Sequence, residues 1–508
     1  MAFSNTPAND TYRTVPIKFD ATPTLRSVDN TVRRDSHIIN FFYDRISQEN
    51  KEREVTLKKR PGISTGTQSL SKAVSTDTIR GYFYEEQEDI YFWAVGNKVY
   101  KYIPSPAGSY TALVATLATS SGEVCFDLFQ KASDGSVYIL FSDGTNLWSQ
   151  KLRTYPDTAA VSVSDADFPG TGHMPKFVVL DGYVFIAKGN TIYNSDLDDF
   201  SAWTAGKEID CEMSSDNIKA LIKNKNYILA IGYDSLEIFW DGGDETSPLQ
   251  RNDSGFKSIG LIGGIASVGD ITYFLGQEKK SLPKVFRIEG FKVEPVSNAV
   301  VERTLEPLTA TTSQINTLYG NILTADGHTF YCLSTPNITW VLDTEEKFWY
   351  EWRAADDTPL QVEACWAKHR GGQFLATKNT STIDFFSPLV YNDKNSNFTA
   401  SYTTEDSLFG SVNWKTANRL SVVSDRHLTT GSSILTVQWS DNDWADGPTG
   451  STTVNLFLNL QSLKETCLLK HKAHRLGRFR NRSFRVLYSD NYPLRIKLLE
   501  LEINIGSH

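Results

Sequence analysis

The chain has 508 residues, of which 40% are hydrophobic and 22% are charged, and this length exceeds what one hydrophobic core usually organises, so more than one core is expected. Its formal net charge of −9 excludes a protein whose whole surface binds nucleic acid. The five cysteines are an odd number without a C-x-x-C pair, so neither a zinc site nor a disulfide framework is indicated: Cys125, Cys211, Cys332, Cys365 and Cys467.

Residues 1–79 are rich in Thr, Asn, Asp and Pro and differ in composition from the rest of the chain. They begin with neither a basic start nor an apolar run, so no signal peptide is expected. Within them, His37-IINFFYDR predicts one buried strand, and Lys58-KRPG predicts a turn, because Pro fixes φ and Gly permits positive φ. We assign residues 1–79 to an extended N-terminal arm that contributes a strand.

A unit of strand, turn, aromatic-rich strand, turn and strand recurs seven times between about Arg80 and Ser387. The turns before the second strands follow at steps of 44 to 57 residues and lie near Gln87, Asp134, Asp181, Lys225, Gly269, Asp326 and Gly371. A period of this size with several short strands is typical of β-propeller blades, and the Asp-Gly and Gly-Asn pairs suit tight hairpin turns. We predict an all-β protein whose residues 80–391 form a β-propeller of about seven blades, or of six if one copy belongs elsewhere.

From about Asn397 the strand spacing changes, and at least six further strands are indicated, among them Ser433-ILTVQWS and Ser483-FRVLYS. The polar stretch Asn392-DKNSN before them is typical of a linker. Residues 392–508 are therefore predicted to form a separate C-terminal β-sandwich domain.

Three groups of residues resemble functional loops but have a simpler interpretation. In SDNDWADG, the alternation of acidic and amide groups that a calcium loop needs stops after Asp443, and the twelfth position is Thr452 instead of Glu. A turn in which Asp side chains accept from backbone N–H groups explains this segment better. The acidic turn at Asp196, Asp198 and Asp199 and the segment Ser142-DGTNLW are loosely similar to the structural Asp-box turns of sialidase propellers.

Catalytic and cofactor motifs are missing from the sequence. The histidines are mostly scattered singly, and no G-x-S-x-G, H-E-x-x-H or P-loop pattern occurs. We therefore predict a protein that is not an enzyme, with no catalytic residue, no cofactor and no metal. A carboxylate pair from distant blades stays open as an alternative, since a single sequence does not reveal such pairs.

The strongest charge feature is the segment Lys470-HKAHRLGRFRNRSFR, which is basic in an otherwise acidic chain. One interpretation is contact with DNA phosphates or with an acidic protein partner, of which the protein is favoured. The other is a solvated strand face. We predict an assembly interface at Lys472, Arg475, Arg478, Arg480, Arg482 and Arg485, and we expect Arg478, Arg480 and Arg482 to contact a subunit or an adaptor.

Three segments in the middle of the chain carry a resemblance to a known family. They are Ser235-LEIFWDGG, Phe256-KSIGLIGGIASVGDITYFLGQ and Lys284-VFRIEGFKVEPVSNAVVERTL. Their order resembles the packaged-DNA stabilisation or tail-hub proteins of short-tailed double-stranded DNA bacteriophages. The positions that match the motifs of that family are Arg60, Pro61, Gly62, Trp203, Ser235, Glu237, Trp240, Gly260 and Gly264. A longer loop at Glu278-KKSLPK and a longer sixth copy depart from the family and put the partner geometry in doubt.

The resemblance implies a structural protein of the virion tail, made in the cytoplasm of the bacterial host. Such a protein would assemble with itself as a ring of six below the portal and its adaptor. It would extend the DNA channel, help retain the packaged DNA without sequence-specific binding, and mount a needle, spike or fibre protein below. Two alternatives remain: a carbohydrate-active propeller enzyme of the glycosidase or sialidase kind, and a receptor-binding module of a tail fibre.

Overall fold

The computed structural model describes residues 13–17, 37–46, 54–73, 77–104, 110–153, 158–244, 247–309, 318–369, 372–425, 433–456 and 468–505. These residues form β-strands almost throughout, with one short α-helix, α1 (Ala299–Leu305), followed by a single 3₁₀ turn at Glu306–Thr309. The prediction of an all-β protein is confirmed.

The first half of the described strands comprises β1 (Arg13–Ile17), β2 (His37–Ile39), β3 (Phe41–Ile46), β4 (Glu54–Lys59), β5 (Gly62–Ser69), β6 (Ile79–Glu85), β7 (Ile90–Val95), β8 (Lys98–Ile103), β9 (Tyr110–Thr116), β10 (Cys125–Gln130), β11 (Val137–Ser142), β12 (Leu147–Lys151), β13 (Val161–Ser162), β14 (Val178–Leu180), β15 (Tyr183–Lys188), β16 (Thr191–Asp196), β17 (Asp199–Asp210), β18 (Ile218–Asn224), β19 (Tyr227–Gly232) and β20 (Leu236–Asp241).

The second half comprises β21 (Leu249–Lys257), β22 (Ile259–Val268), β23 (Ile271–Glu278), β24 (Pro283–Glu289), β25 (Lys292–Pro295), β26 (Tyr319–Ala325), β27 (His328–Ser334), β28 (Thr339–Asp343), β29 (Trp349–Glu351), β30 (Val362–His369), β31 (Gly372–Thr377), β32 (Thr382–Ser387), β33 (Ala400–Thr403), β34 (Lys415–Asp425), β35 (Ile434–Ser440), β36 (Gly450–Asn455), β37 (Leu468–His474), β38 (Arg478–Phe479), β39 (Ser483–Tyr488) and β40 (Arg495–Ile505).

The chain forms two compact units, and each brings together segments that are separate in sequence. The propeller unit contains Gly66–Thr339 and Leu360–Phe385, and the sandwich unit contains Met1–Thr65, Trp340–Pro359 and Phe386–His508. The division into residues 1–79, 80–391 and 392–508 stays a prediction.

Six four-stranded sheets form the blades of the propeller among the described residues. In chain order they are β6–β9, β10–β13, β14–β17, β18–β21, β22–β25 and the sheet of β30, β31, β32 and β5. The propeller is confirmed, while the count differs from the predicted seven. The copy around His328 contributes the hairpin β26–β27 to the propeller unit, and its continuation at residues 340–359 belongs to the sandwich unit.

Successive copies close a circle. β6, β10, β14 and β18 lie beside one another in that order, β22 lies beside β19 of the preceding copy, and β26 and β30 then follow, with β30 beside β6. The outer strand of the last blade is β5, whose residues 66–69 precede the first blade in sequence. The backbone N–H of Leu70 donates to the carbonyl of Ser381 at 2.8 Å, and Lys72 forms a buried ion pair with Glu363 at 2.9 Å. The beginning and end of the propeller are thus joined by hydrogen bonds.

The residue pattern of the blades explains their burial. Every residue of β7, IYFWAV, is buried, because a middle blade strand packs against a neighbouring blade on each of its faces. Asp181 and Gly182 both have positive φ, at 49° and 84°, as the two central residues of a type I′ turn require. The Asp-Gly pairs predicted as hairpin turns therefore have the expected backbone conformation at this position.

The sandwich unit consists of two sheets. One runs β3-β4-β40-β34-β37, with β1 also pairing β40 and β38 also pairing β34, and the other runs β28-β29-β2-β33-β39-β35-β36. Side chains of the two sheets meet in its interior: the Tyr350 hydroxyl accepts from the backbone N–H of Tyr43 at 3.1 Å, and the Lys59 ammonium lies 5.0 Å from the Tyr488 ring centroid. Strands from residues 37–59 therefore form an integral part of this β-sandwich.

Candidate functional site

The basic segment follows β34 from β37 into β38 and is then paired with the preceding loop of the sandwich unit. β38 pairs with β34, so that Arg478 lies opposite Thr416. The backbone groups of Ser407 and Arg482 exchange two hydrogen bonds, each of 3.1 Å. Residues 406–414 and 475–482 are thereby held side by side. Of the predicted interface residues, some lie in the interior of the protein and others face the solvent.

The prediction of an interface role for Arg482 has to be corrected, because the structure places this residue in the interior with 1% of its surface exposed. Its guanidinium pairs with Asp441 through bonds of 2.6 and 2.9 Å and donates to the Leu476 carbonyl at 3.0 Å. The guanidinium also lies 4.2 Å from the Phe479 ring centroid. A buried side chain with these partners has no surface to offer to another subunit.

Lys415 is a second buried cation, beneath the segment 475–482, and it was not predicted from the sequence. Its ammonium donates to the carbonyls of Asn413 at 2.8 Å and Arg480 at 2.6 Å. Burial lowers the pKa of Lys415 below its ordinary value. Arg482 donates to the Leu476 carbonyl and Lys415 to the Arg480 carbonyl, so the two buried cations fix the backbone of residues 476–480.

The other predicted residues lie nearer the solvent. Lys472, Arg475, Arg478 and Arg480 are exposed, and the ion pairs formed by described residues include none of these four. Arg485 is half-buried, donates to the Thr403 hydroxyl at 3.1 Å and lies 3.9 Å from the Trp444 ring centroid.

Trp414 is the functional candidate that sequence reasoning missed. Its side chain is 40% exposed, and the guanidinium groups of Arg478 and Arg480 lie 5.5 and 5.0 Å from its ring centroid. Both distances fall within the range of cation–π attraction. The signal in the sequence was weak, because a tryptophan directly followed by a lysine does not show which of the two side chains is exposed.

Arg60 is the most highly connected of the family-motif residues. It is fully buried, pairs with Asp393 at 2.5 Å, and donates to the Asn40 side chain at 2.9 Å and the Arg353 carbonyl at 2.8 Å. Its guanidinium also lies 3.7 Å from the Phe398 ring centroid. These partners come from three separate stretches of the chain, so Arg60 has a structural role in the sandwich unit.

The residues around Arg60 are equally confined. Lys59 is buried, donates to the carbonyls of Tyr391 at 2.9 Å and Asp490 at 2.7 Å, and has a pKa lowered to about 7 by burial and by the adjacent Arg60 charge. Pro61 is buried, and a Cβ atom on Gly62 would lie 2.1 Å from the Asn392 carbonyl oxygen. Only glycine therefore permits this approach of the two backbones.

Ser235 and Glu237 organise a loop of the propeller unit. The Ser235 hydroxyl donates to Asp216 at 2.7 Å, and Glu237 accepts from the Met213 backbone N–H at 3.0 Å. The Glu237 carboxylate is also within 3.0 Å of Arg251, but burial outweighs this attraction and raises the pKa of Glu237. The motif S-x-E therefore connects a blade strand with the loop before the blade.

The two motif glycines permit close approaches between backbones and side chains. A Cβ on Gly260 would lie 1.6 Å from the Tyr233 carbonyl oxygen. Gly264 has φ +64°, and a Cβ there would lie 2.5 Å from the Leu333 side chain. Glycine is required at both positions by the surrounding packing.

The two motif tryptophans differ in exposure. Trp203 is buried and donates its indole N–H to the Phe200 carbonyl at 3.1 Å. Trp240 is 40% exposed.

The acidic turns have partners within the protein. Asp198 accepts from the backbone N–H groups of Ala132, at 2.5 Å, and Ser133, at 2.9 Å. The Ser133 side chain, followed by these two N–H groups, lowers the pKa of Asp198. Asp196 pairs with Lys207 at 2.7 Å. No group of three or more potential metal ligands is gathered among the residues that the structure describes.

His173 lies in the interior and has structural contacts. Its Nε2 is 2.7 Å from the Ser142 hydroxyl and its Nδ1 is 2.8 Å from the Gly170 carbonyl. Burial lowers the pKa of His173.

Within the described part of the chain, none of the helices has the length and apolar character that crossing a membrane requires.

Comparison with known proteins identifies one family. The phage-stabilisation family model, described as Bacteriophage P22 Gp10, beta-propeller, matches residues 45–379. No curated protein sequence matches the chain.

Several solved structures share limited similarity with the chain. The N-terminal domain of Nup159 is 10% identical, with a TM-score of 0.38 over 69% of this chain and 98% of that one. The WD40 domain of coronin from Toxoplasma gondii is 8% identical, with a TM-score of 0.38 over 72% and 88%. PorZ of Porphyromonas gingivalis is 11% identical, with a TM-score of 0.36 over 63% and 38%. None of these likenesses carries a functional conclusion.

Proposed function

Because the chain belongs to the phage-stabilisation family of Bacteriophage P22 Gp10, whose model covers residues 45–379, we propose that it is the tail hub of its virion. At the level of the family it is a bacteriophage structural protein of the DNA-stabilisation type and a component of the virion. As a hub it assembles with itself into a ring of six below the portal and its adaptor and extends the DNA channel. It is made in the cytoplasm of the bacterial host.

The closed propeller is the observation that supports this role most directly. Successive copies form a complete circle, and β5 completes the last blade. Closure leaves few free strand edges and resists both deformation and aggregation. A part that holds DNA against internal pressure needs this rigidity.

The surface charge suits such a channel component. The net charge of −9 repels the phosphate backbone, so DNA passes without sequence-specific binding. The exposed cations of the basic segment serve subunit assembly, and another surface mounts the needle, spike or fibre protein below.

Genome retention provides the test. Virions assembled without the chain are expected to lose DNA to added nuclease, and the purified full chain is expected to restore protection when it is added back before nuclease. Cryo-electron microscopy of complete virions then locates the chain below the portal. Absence of the chain from purified virions by mass spectrometry, or full protection without it, would contradict the hub role.

The two alternatives have less support. For the carbohydrate-active propeller, which would need a carboxylate pair from distant blades, the matching family is structural, and this favours a role without catalysis. A receptor-binding fibre module is separated from a hub by the same microscopy, since it would lie at the tip of the tail.

A further inference from the structure

The surface around Trp414 combines exposed apolar side chains with exposed cations. Leu408, Val412 and Trp414 are 49%, 72% and 40% exposed, and Arg478 and Arg480 flank the indole ring. We call these five residues the basic-aromatic patch. Tryptophan and arginine are the residues most enriched among those that dominate binding energy in protein interfaces.

The patch is rigid before any partner binds. Phe409, between its two aliphatic residues, is 8% exposed and packs against the Phe479 ring at a centroid distance of 5.7 Å. The backbone pairing of Ser407 with Arg482 and the two bonds donated by Lys415 fix the loop 406–414 against the segment 475–482. A prearranged surface loses little conformational freedom on binding.

The composition of the patch selects the kind of partner. Arg478 and Arg480 form no ion pair with the described residues, so they favour an acidic partner. A DNA backbone would satisfy the cations but offers no apolar surface for Leu408 and Val412. An acidic protein surface with an apolar side chain beside its carboxylates satisfies both, and a DNA ligand becomes an outcome of the test.

The propeller unit carries a surface of this complementary kind. Glu208 and Asp210 at the end of β17 and Glu212 just after it are exposed, and Met213 beside them is 44% exposed. We call these four residues the acidic ridge. Arg251 contacts Glu212 at 3.5 Å, but it is already balanced by the buried Glu237 at 3.0 Å, so the ridge keeps its excess of negative charge.

We propose that the basic-aromatic patch of one copy of the chain binds the acidic ridge of the next copy. The proposal rests on the proposed assembly of the chain into a ring. Two different surfaces that meet in this way make a heterologous contact, which closes into a ring when the rotation between copies allows it. The apolar patch residues then cover Met213, and the two arginines face the carboxylates.

A charge-exchange experiment on the full chain tests this contact. Self-association is measured by sedimentation velocity from nanomolar to tens of micromolar for four proteins. They are the wild type, Arg478→Glu/Arg480→Glu, Glu208→Arg/Glu212→Arg and the variant that combines all four substitutions. Each double reversal is expected to weaken association at least about tenfold, and the combined variant to recover most of the loss, because the charges are then exchanged.

Matched controls separate the contact from general charge and folding effects. Lys279→Glu/Lys280→Glu changes the net charge by the same amount at two other exposed lysines and is expected to associate like the wild type. Trp414→Ala is expected to weaken association about tenfold without a reversal of charge, whereas Tyr233→Ala at another exposed aromatic is not. Circular dichroism confirms that each variant is folded.

The outcomes distinguish the contact from the hub role. The contact would be overturned if Arg478→Glu/Arg480→Glu associates as strongly as the wild type, or if the combined variant does not recover association. It would also be overturned if the wild type stays monomeric. Binding of a DNA duplex that depends on Arg478 and Arg480, with self-association unchanged, would overturn it also. If the chain is nevertheless present in virions and protects their DNA, the hub function stands without this contact.

Discussion

The propeller unit and the sandwich unit bury charge in different ways. Among the described residues, the arginines and lysines whose whole-residue exposure is at most 1% all lie in the sandwich unit: Lys59, Arg60, Lys415 and Arg482. The propeller unit buries carboxylates to this depth, such as Glu85 and Asp384, at 1% and 0% exposure, and it buries the Lys72 side chain in an ion pair with Glu363.

The difference follows from what each group can bond. Asp143 in the propeller unit accepts from the backbone N–H groups of Thr119, Thr145 and Asn146, all within one turn or its neighbouring loop. A carboxylate only accepts, which suits the free N–H groups of turns. Arg60 donates to residues 40, 353 and 393, because a guanidinium has five donors in a fixed fork.

The comparison teaches how each unit solves its assembly. The propeller is built from hairpins whose partners are close in sequence, so buried carboxylates such as Asp143 secure turns, while the Lys72–Glu363 pair joins the two ends of the circle. The sandwich unit contains three stretches of chain that are distant in sequence, and its buried arginines and lysines bond these stretches to one another. Replacement of a buried arginine or lysine in the sandwich unit should therefore lower the free energy of unfolding more than replacement of a partly exposed one in the propeller unit.

Arg60→Met should have the largest effect. Removal of the guanidinium leaves Asp393 buried without its partner, and the free energy of unfolding is expected to fall by about 3–5 kcal/mol. Urea unfolding followed by tryptophan fluorescence measures the loss. Arg287→Met removes partly exposed ion pairs in the propeller unit and is expected to cost at most about 1 kcal/mol. Similar losses in both variants would refute the contrast.

Lys59→Met should reveal the cost of the buried ammonium through its pH dependence. Because the folded-state pKa is lowered from 10.5 to about 7, the unfolded chain binds more protons between those values. Wild-type stability contributed by Lys59 is therefore lowest below pH 7 and rises with pH towards 10.5, by at most about 1.4 kcal/mol per pH unit.

The measurement for Lys59 is a series of unfolding curves from pH 6 to 10. The stability of the Met variant minus that of the wild type is expected to fall as the pH rises through this window. Lys279→Met, at an exposed lysine, controls for the change in composition. A difference that does not vary with pH would show that the buried ammonium keeps its proton throughout.

Gly260→Ala should test the close packing of the propeller unit. The added Cβ would lie 1.6 Å from the Tyr233 carbonyl oxygen, so the backbone must move, at a cost of about 1–3 kcal/mol. Gly96→Ala is the matched control, since its φ is +53° but no atom lies within 4 Å of the new Cβ. It should lose only about 1–2 kcal/mol from backbone strain. Equal melting temperatures for the two variants would argue against a steric role for Gly260.

Ser235→Ala should have the smallest effect of the series. It removes the hydrogen bond from the Ser235 hydroxyl to Asp216 and is expected to cost about 1–2 kcal/mol, because the acceptor is charged. Ser254→Ala removes an exposed hydroxyl from strand β21 and should stay within about 0.5 kcal/mol. Thermal unfolding by circular dichroism compares the two, and a larger loss at Ser254 would remove the structural role assigned to the S-x-E motif.

The basic segment shows how far sequence reasoning reached for the candidate site. Its charge and its position were visible, and Arg478 and Arg480 do lie on the surface. The burial of Arg482 was not visible, because it depends on Asp441 some 41 residues earlier. Trp414 was missed for the same reason, since its exposure follows from the pairing of Lys415 with Phe479.

The repeats and their turn residues by themselves determined the all-β class, the propeller and the order of its blades, because hairpin strands find partners within a few residues and leave a periodic pattern. Only the tertiary structure decided how the circle closes and which residues complete its last blade. It alone decided that residues 37–59 and 340–359 join the C-terminal strands. These choices depend on contacts between segments hundreds of residues apart, and such contacts leave no periodic trace in the chain.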